Sequence, residues 1–152
     1  MEKPEVTIQE VCVELLAKLQ VDAEVGVSVA EEVYQVQIET PEPGILIGYH
    51  GRTLESFQLL LGQLIFKKTN EWVRLSVSVG DYRQRREKQL QEIAQSAVER
   101  VLAEREPVAL GELSPSERRT VHLFLQDHQE VVSESEGEGR DRRLVIKPKS
   151  DA

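Results

Sequence analysis

Two short stretches of this 152-residue chain carry residue types whose spacing suits a particular chemistry. In Gly48-Tyr49-His50-Gly51, two glycines three apart leave backbone amides free to point outward with no Cβ in the way, as a loop that receives phosphate oxygens requires. Arg118 and His122 stand four apart, so on a helix they leave the same face one turn apart. An arginine grips phosphate through two parallel hydrogen bonds, and a histidine ring donates to phosphate or stacks beneath a base. Both patterns suit a nucleotide backbone. A plain turn remains the alternative for the first, and a surface arginine beside a half-buried histidine for the second.

Enzymatic readings of the same residues weaken on inspection. The triphosphate-binding lysine motif needs a glycine five positions before Gly51, where Leu46 stands, and Arg52 replaces its lysine. The first glycine of a dinucleotide fingerprint also falls on Leu46. A phosphodiesterase built on His50 or His122 lacks a carboxylate or second histidine at catalytic spacing, since His128 lies six residues beyond His122 and off its helical face. Cys12 is the only cysteine, which excludes an internal disulfide and makes a structural zinc improbable. No catalytic residue, metal or cofactor is expected.

The elements that must position these residues follow from hydrophobic periodicity. Ile8, Val11, Cys12, Leu15, Leu16 and Leu19 mark one helical face over about residues 7–19. Val25, Val27 and Val29, then Tyr34, Val36 and Ile38, alternate as two strands around a Glu31-Glu32 turn. The proline- and glycine-containing segment 40–44 breaks the second strand. Ile45 and Ile47 before the glycine loop and Leu54 after it are expected to anchor it, with a helix over about 52–68. That helix is apolar over more than one face, through Leu59, Leu60 and Phe66, as in burial or self-association. Val73 to Val79 alternate as a third strand, and Leu90, Ile93, Ala94, Ala97, Val101 and Leu102 mark a long helix to about residue 105. Ser114-Pro115-Ser116-Glu117 reads as a capping box, so a helix starts there. Two strands follow, at about 130–135 and 142–147, around the Gly137 and Gly139 turn.

Charge adds a qualification. The 19 Lys and Arg against 27 Asp and Glu give a net −8, which argues against a nonspecific nucleic-acid coat. Residues 1–80 hold 6 basic and 12 acidic groups, whereas residues 81–152 hold 13 and 15, with arginines clustered at 83–86, 118–119 and 140–143. Arg83 and Arg86 at a helix start oppose its dipole by a few tenths of a kcal/mol or more each. That placement hints at an anionic partner. The chain has no apolar run approaching the ~18 residues of a membrane span, and no signal sequence, so a cytoplasmic location without membrane insertion is expected.

The order of these motifs is more specific than either alone. Ile47 to Leu54 with Gly80-Asp81-Tyr82-Arg83, then Ser114 to His122, Ser135 to Glu138 and Arg142 to Ile146, resemble the bacterial Jag/KhpB family over about residues 20–149. In that family a KH domain precedes an Arg-x-x-x-His (R-3-H) domain. The resemblance implies an α+β protein: a KH-like helix-strand-strand-helix-helix-strand unit at 5–80, joined by a long helix to a small R-3-H domain at 81–149. It implies a single-stranded RNA-binding protein acting in RNA-based regulation of the cell envelope or division, with a small KH-only partner or a second copy as further partner. The KH loop clamps about four nucleotides of single strand. Carried onto this sequence, Gly48, Tyr49, His50, Gly51 and Arg52 form the loop contact. Arg118, Arg119, His122 and Arg142, helped by Arg83 and Arg86, hold phosphates. The family often has an additional N-terminal domain that this chain has no room for, and its loop positions are often basic where this chain has Tyr49 and His50. A dimerising adaptor with little RNA affinity is the rival reading. Because histidine exchanges its proton between about pH 5 and 8, RNA affinity is expected to strengthen modestly as pH falls, less so in His122→Gln.

Overall fold

The computed structural model describes residues 2–150. The chain divides after Arg83 into two compact units, each with its own core. The first runs α1 (Pro4–Lys18), β1 (Glu24–Ala30), β2 (Val33–Glu39), α2 (Pro43–Ile47), α3 (Arg52–Thr69) and β3 (Leu75–Val79). Its sheet has the order β1-β2-β3. β1 and β2 form an antiparallel hairpin, with Ala30 opposite Val33. Glu31 and Glu32 make its turn, both at positive φ (51° and 65°), the left-handed geometry that two-residue hairpins prefer and that glycine usually supplies. β3 lies parallel to β2, with Val36 opposite Val77. A parallel pair needs a crossover, and α2, the glycine loop and α3 are that crossover.

The sheet's apolar face buries Val36, Ile38, Val77 and Val79 against Ile8, Cys12 and Leu16 of α1 and Leu54, Phe57, Leu61 and Ile65 of α3. Cys12 is fully buried, and burial pushes its thiol from 9.0 up to about 12, so it packs as a small apolar residue. Pro43 begins α2, which turns Leu46 and Ile47 inward. Ile45 is therefore not an anchor of the loop: it is 59% exposed. Successive buried positions 46 and 47 fit a helical turn, whereas the alternation of 45 and 47 fits a strand.

The division falls inside α4 (Tyr82–Glu104). The second unit continues with β4 (Val108–Ala109), α5 (Pro115–Leu125), β5 (Val131–Glu136) and β6 (Arg143–Pro148). Its antiparallel sheet has the order β4-β6-β5. The core joins Leu90, Ala94, Val98 and Val101 of α4 to Val121 and Leu125 of α5 and to Val131, Leu144 and Ile146 of the sheet. The two-residue β4 has no counterpart in the sequence reading. Among the described residues no helix is long and apolar enough to cross a membrane.

Candidate nucleic-acid interface

In the first unit the glycine loop sits between α2 and α3, at the start of a helix whose first amides have no intrahelical acceptor. Gly48 adopts φ 69°, ψ −170°, and a Cβ there would collide with Thr53 Oγ1 and lie 2.6 Å from Thr53 Cβ. Gly51 adopts φ 80°, and its Cβ would meet Tyr82 Oη at 3.0 Å. Gly48 therefore requires glycine for conformation and for space, and Gly51 for conformation, with Tyr82 pressing close on its Cβ position. His50 between them is also left-handed (φ 51°, ψ 29°), at a cost of about 1–2 kcal/mol for an L-residue. Its ring lies on that of Tyr49, centroids 4.0 Å apart and planes 21° apart. The Arg52 guanidinium stands 5.6 Å from the Tyr49 centroid. Tyr49, His50 and Arg52 are exposed and Gly51 is buried.

In the second unit the capping box is formed. Glu117 N donates to Ser114 Oγ (3.2 Å) and Ser114 N to Glu117 Oε2 (3.1 Å). This fixes the start of α5 and hence the direction of Arg118 and His122. Arg118 Nη1 donates to Leu113 O at 2.7 Å and to Arg142 O at 3.5 Å, so its guanidinium is held beside the β5–β6 loop. Arg142 Nη1 donates to Gly137 O (3.3 Å), and Arg143 Nη1 to Arg140 O (2.7 Å). His122 is exposed, with Nδ1 2.7 Å from Ser133 Oγ of β5. Arg118, His122 and Arg142 thus share one region of this unit, and Arg119 is exposed on the neighbouring face of α5.

Arg83 and Arg86 do not join this set. Arg86 is buried, its Nε donating to Glu117 Oε1 at 2.7 Å and its Nη2 to Glu117 Oε2 at 3.3 Å. The Arg83 head lies along the β3 edge of the first unit's sheet: Nε and Nη2 both donate to Val77 O (3.2 and 3.1 Å), and burial lowers its pKa. Partners within the fold thus offset the unfavourable helix-start charge attributed above to an anionic ligand. Lys147 is also occupied: its ammonium donates to the carboxylates of Glu136 and, secondarily, Glu134, which hold it in its charged form.

With this geometry the chain can be placed among known proteins. A family profile for the KhpA/KhpB KH domain matches residues 6–77, and one for the R-3-H domain matches residues 88–148. A protein of Clostridium symbiosum named RNA-binding protein KhpB is 30% identical over 151 residues, covering 95% of this chain and 68% of that protein. The chain belongs to the KhpB family. Proteins of the same name from Streptococcus pneumoniae serotype 2 and Bacillus subtilis are 32% and 26% identical over 91% and 84% of this chain. The chain spans 44% and 62% of their respective lengths.

Three further residues shape this candidate site in ways that spacing along the sequence does not reveal. Glu117 joins the cap to Arg86. Ser133 orients the His122 ring. Gly137 (φ 89°) has its Cβ position 3.1 Å from Asp141 O and shapes the loop bearing Arg142. Ser133 left a sequence signal, a polar residue two positions after Val131 on the buried face of β5. Glu117 was legible as a cap but not as an ion-pair partner.

Proposed function

We propose that the chain binds single-stranded RNA through its two surfaces and performs no chemistry on it. The observation that carries this reading is the glycine loop. Two glycines are held at positive φ, with no room for a Cβ at Gly48 and little at Gly51, and between them two aromatic rings are exposed at a helix start. Such a loop admits a sugar-phosphate chain close to backbone amides. Arg118, His122 and Arg142, with Arg119, supply the charged grip in the second unit. Relatives bearing the name RNA-binding protein KhpB support the same ligand. The wider role is RNA-based regulation of the cell envelope or division in the cytoplasm, with a small KH-only protein or a second copy as a further partner.

A second reading, a protein-interaction adaptor, draws on Leu59 and Leu60 of α3, 66% and 44% exposed. Ultraviolet crosslinking to a mixed-sequence RNA pool, with the contacts mapped by mass spectrometry, separates the two. RNA binding places crosslinks in the peptides carrying Tyr49-His50 and α5, and Gly51→Asp abolishes the first set. Absence of crosslinks, with self-association intact in both proteins, supports the adaptor.

A further inference from the structure

We infer that the first unit takes an extended peptide with basic ends as an additional strand on the outer edge of β1, a protein-binding surface that uses none of the residues assigned to RNA. The pairing of β1 with β2 decides which backbone groups are available. In a hairpin closed by a two-residue turn the pair beside the turn, here Ala30 and Val33, is hydrogen-bonded, and such pairs alternate with non-bonded ones. Glu24, Gly26 and Ser28 therefore bond to β2, while the N–H and C=O groups of Val25, Val27 and Val29 point away from it. Gln9 Nε2 of α1 donates to Val25 O at 2.9 Å, which covers that end. Among the described residues no hydrogen bond reaches the outward groups of Val27 and Val29.

The opposite edge of the same sheet is closed. On β3 the outward Val77 N donates to Gln58 Oε1 at 3.0 Å, and Val77 O accepts from Arg83. Exposed edges are otherwise blunted by lysine, proline or a bulge. Residues 25–30 carry neither residue, their pairing with β2 runs without a bulge, and Val29 is 50% exposed. An edge left open beside one that is closed is a template for strand addition.

Charge selects the occupant. Asp22 and Glu24 stand at one end of the open stretch, Glu31 and Glu32 at the other. Glu24 lies directly opposite Glu39, and with Asp22 they line one open cleft. Among the described residues no lysine or arginine pairs with Asp22, Glu24, Glu31 or Glu32. A second copy added antiparallel through Val27 and Val29 centres on Ser28 and sets Glu24 against Glu32 at both ends, a like-charge contact that disfavours it. A peptide with a β-branched centre and a lysine or arginine at each end meets the edge with its backbone and the carboxylates with its ends.

The test uses the full chain and a fluorescent peptide of alternating valine and threonine, with lysine at both ends and blocked termini. Control peptides carry glutamate at the ends, or methyl groups on the central backbone nitrogens. Polarisation should show binding of the first peptide, weakened at least about tenfold by N-methylation through the loss of two or more backbone bonds. Glutamate ends should weaken it severalfold, by a margin that shrinks as salt rises. Saturating peptide should slow hydrogen exchange at the Val27 and Val29 amides. Val29→Pro removes an outward donor that β2 does not use, so it should abolish peptide binding and leave the circular dichroism melt unchanged. Equal affinity for the N-methylated peptide, no binding of the first peptide, or protection elsewhere in the chain overturns the inference, whether or not that variant folds. A dimer in sedimentation that Val29→Pro dissociates assigns the edge to a second copy and overturns the basic-peptide occupant.

Discussion

Arg86→Ala removes one half of the buried ion pair that ties α4 to the start of α5. Arg86 and Glu117 are each 10% exposed at the side chain and form a two-pronged ion pair. Removing the arginine leaves the Glu117 carboxylate buried, with Ser114 N as a remaining donor. Breaking one side of a buried pair costs about 3–5 kcal/mol, and the surviving amide bond places the expectation near 3 kcal/mol. Against a typical domain stability of about 5–15 kcal/mol, that is a large share. Native-state hydrogen exchange reads it unit by unit. Exchange of the Ile146 amide in β6 should rise by about two orders of magnitude, while that of Ile38 in β2 stays as in the wild type. The double variant Arg86→Met/Glu117→Gln, which removes both charges, should be less destabilised than Arg86→Ala alone. If Arg86→Ala instead left exchange unchanged and lowered RNA affinity together with its salt slope, Arg86 would be a surface phosphate ligand and the assigned role would be wrong.

Other outcomes follow from separate features. Burial holds the Cys12 thiol protonated up to about pH 12 against 9.0 ordinarily. Above pH 9 the unfolded chain therefore binds fewer protons than the native one, and stability falls by about 1.4 kcal/mol per pH unit. Urea unfolding followed by Trp72 fluorescence should show that slope component in the wild type and lose it in Cys12→Ala. Replacing Glu31-Glu32 by Asn-Gly should raise the stability of the first unit by about 1 kcal/mol or more, because the turn's positive φ values then cost little; an unchanged urea midpoint would contradict this.

The legible parts of the fold are those governed by short-range rules. The apolar stripes of α1, α3 and α4, the alternation of β1, β2 and β3, and the Ser114–Glu117 cap all follow from spacing along a single element. What escaped depends on contacts distant in sequence. β4 exists as a strand because Val108 and Ala109 pair with Ile146 and Val145, and two residues carry no periodicity. Ile45 was misplaced because strand and helix rotate successive side chains differently, and a five-residue helix is too short to reveal its period. The arginine cluster at 83–86 looked uniform in sequence. Yet Arg86 meets a carboxylate 31 residues away, and Arg83 reaches back to a strand carbonyl. In the candidate site, the Gly48–Gly51 loop and the Arg118–His122 face were legible because each is local. The Ser133 hydroxyl that orients His122 comes from another element.

The salt dependence of RNA binding by the wild type and by Arg118→Ala tests most directly whether guanidinium groups on α5 and the β5–β6 loop neutralise RNA phosphates. With about three phosphates engaged, the wild-type log–log slope should be near −2, at about 0.7 per single-strand phosphate, and Arg118→Ala should bring it close to −1.4. A flat wild-type response, or an identical slope in the variant, would contradict the account.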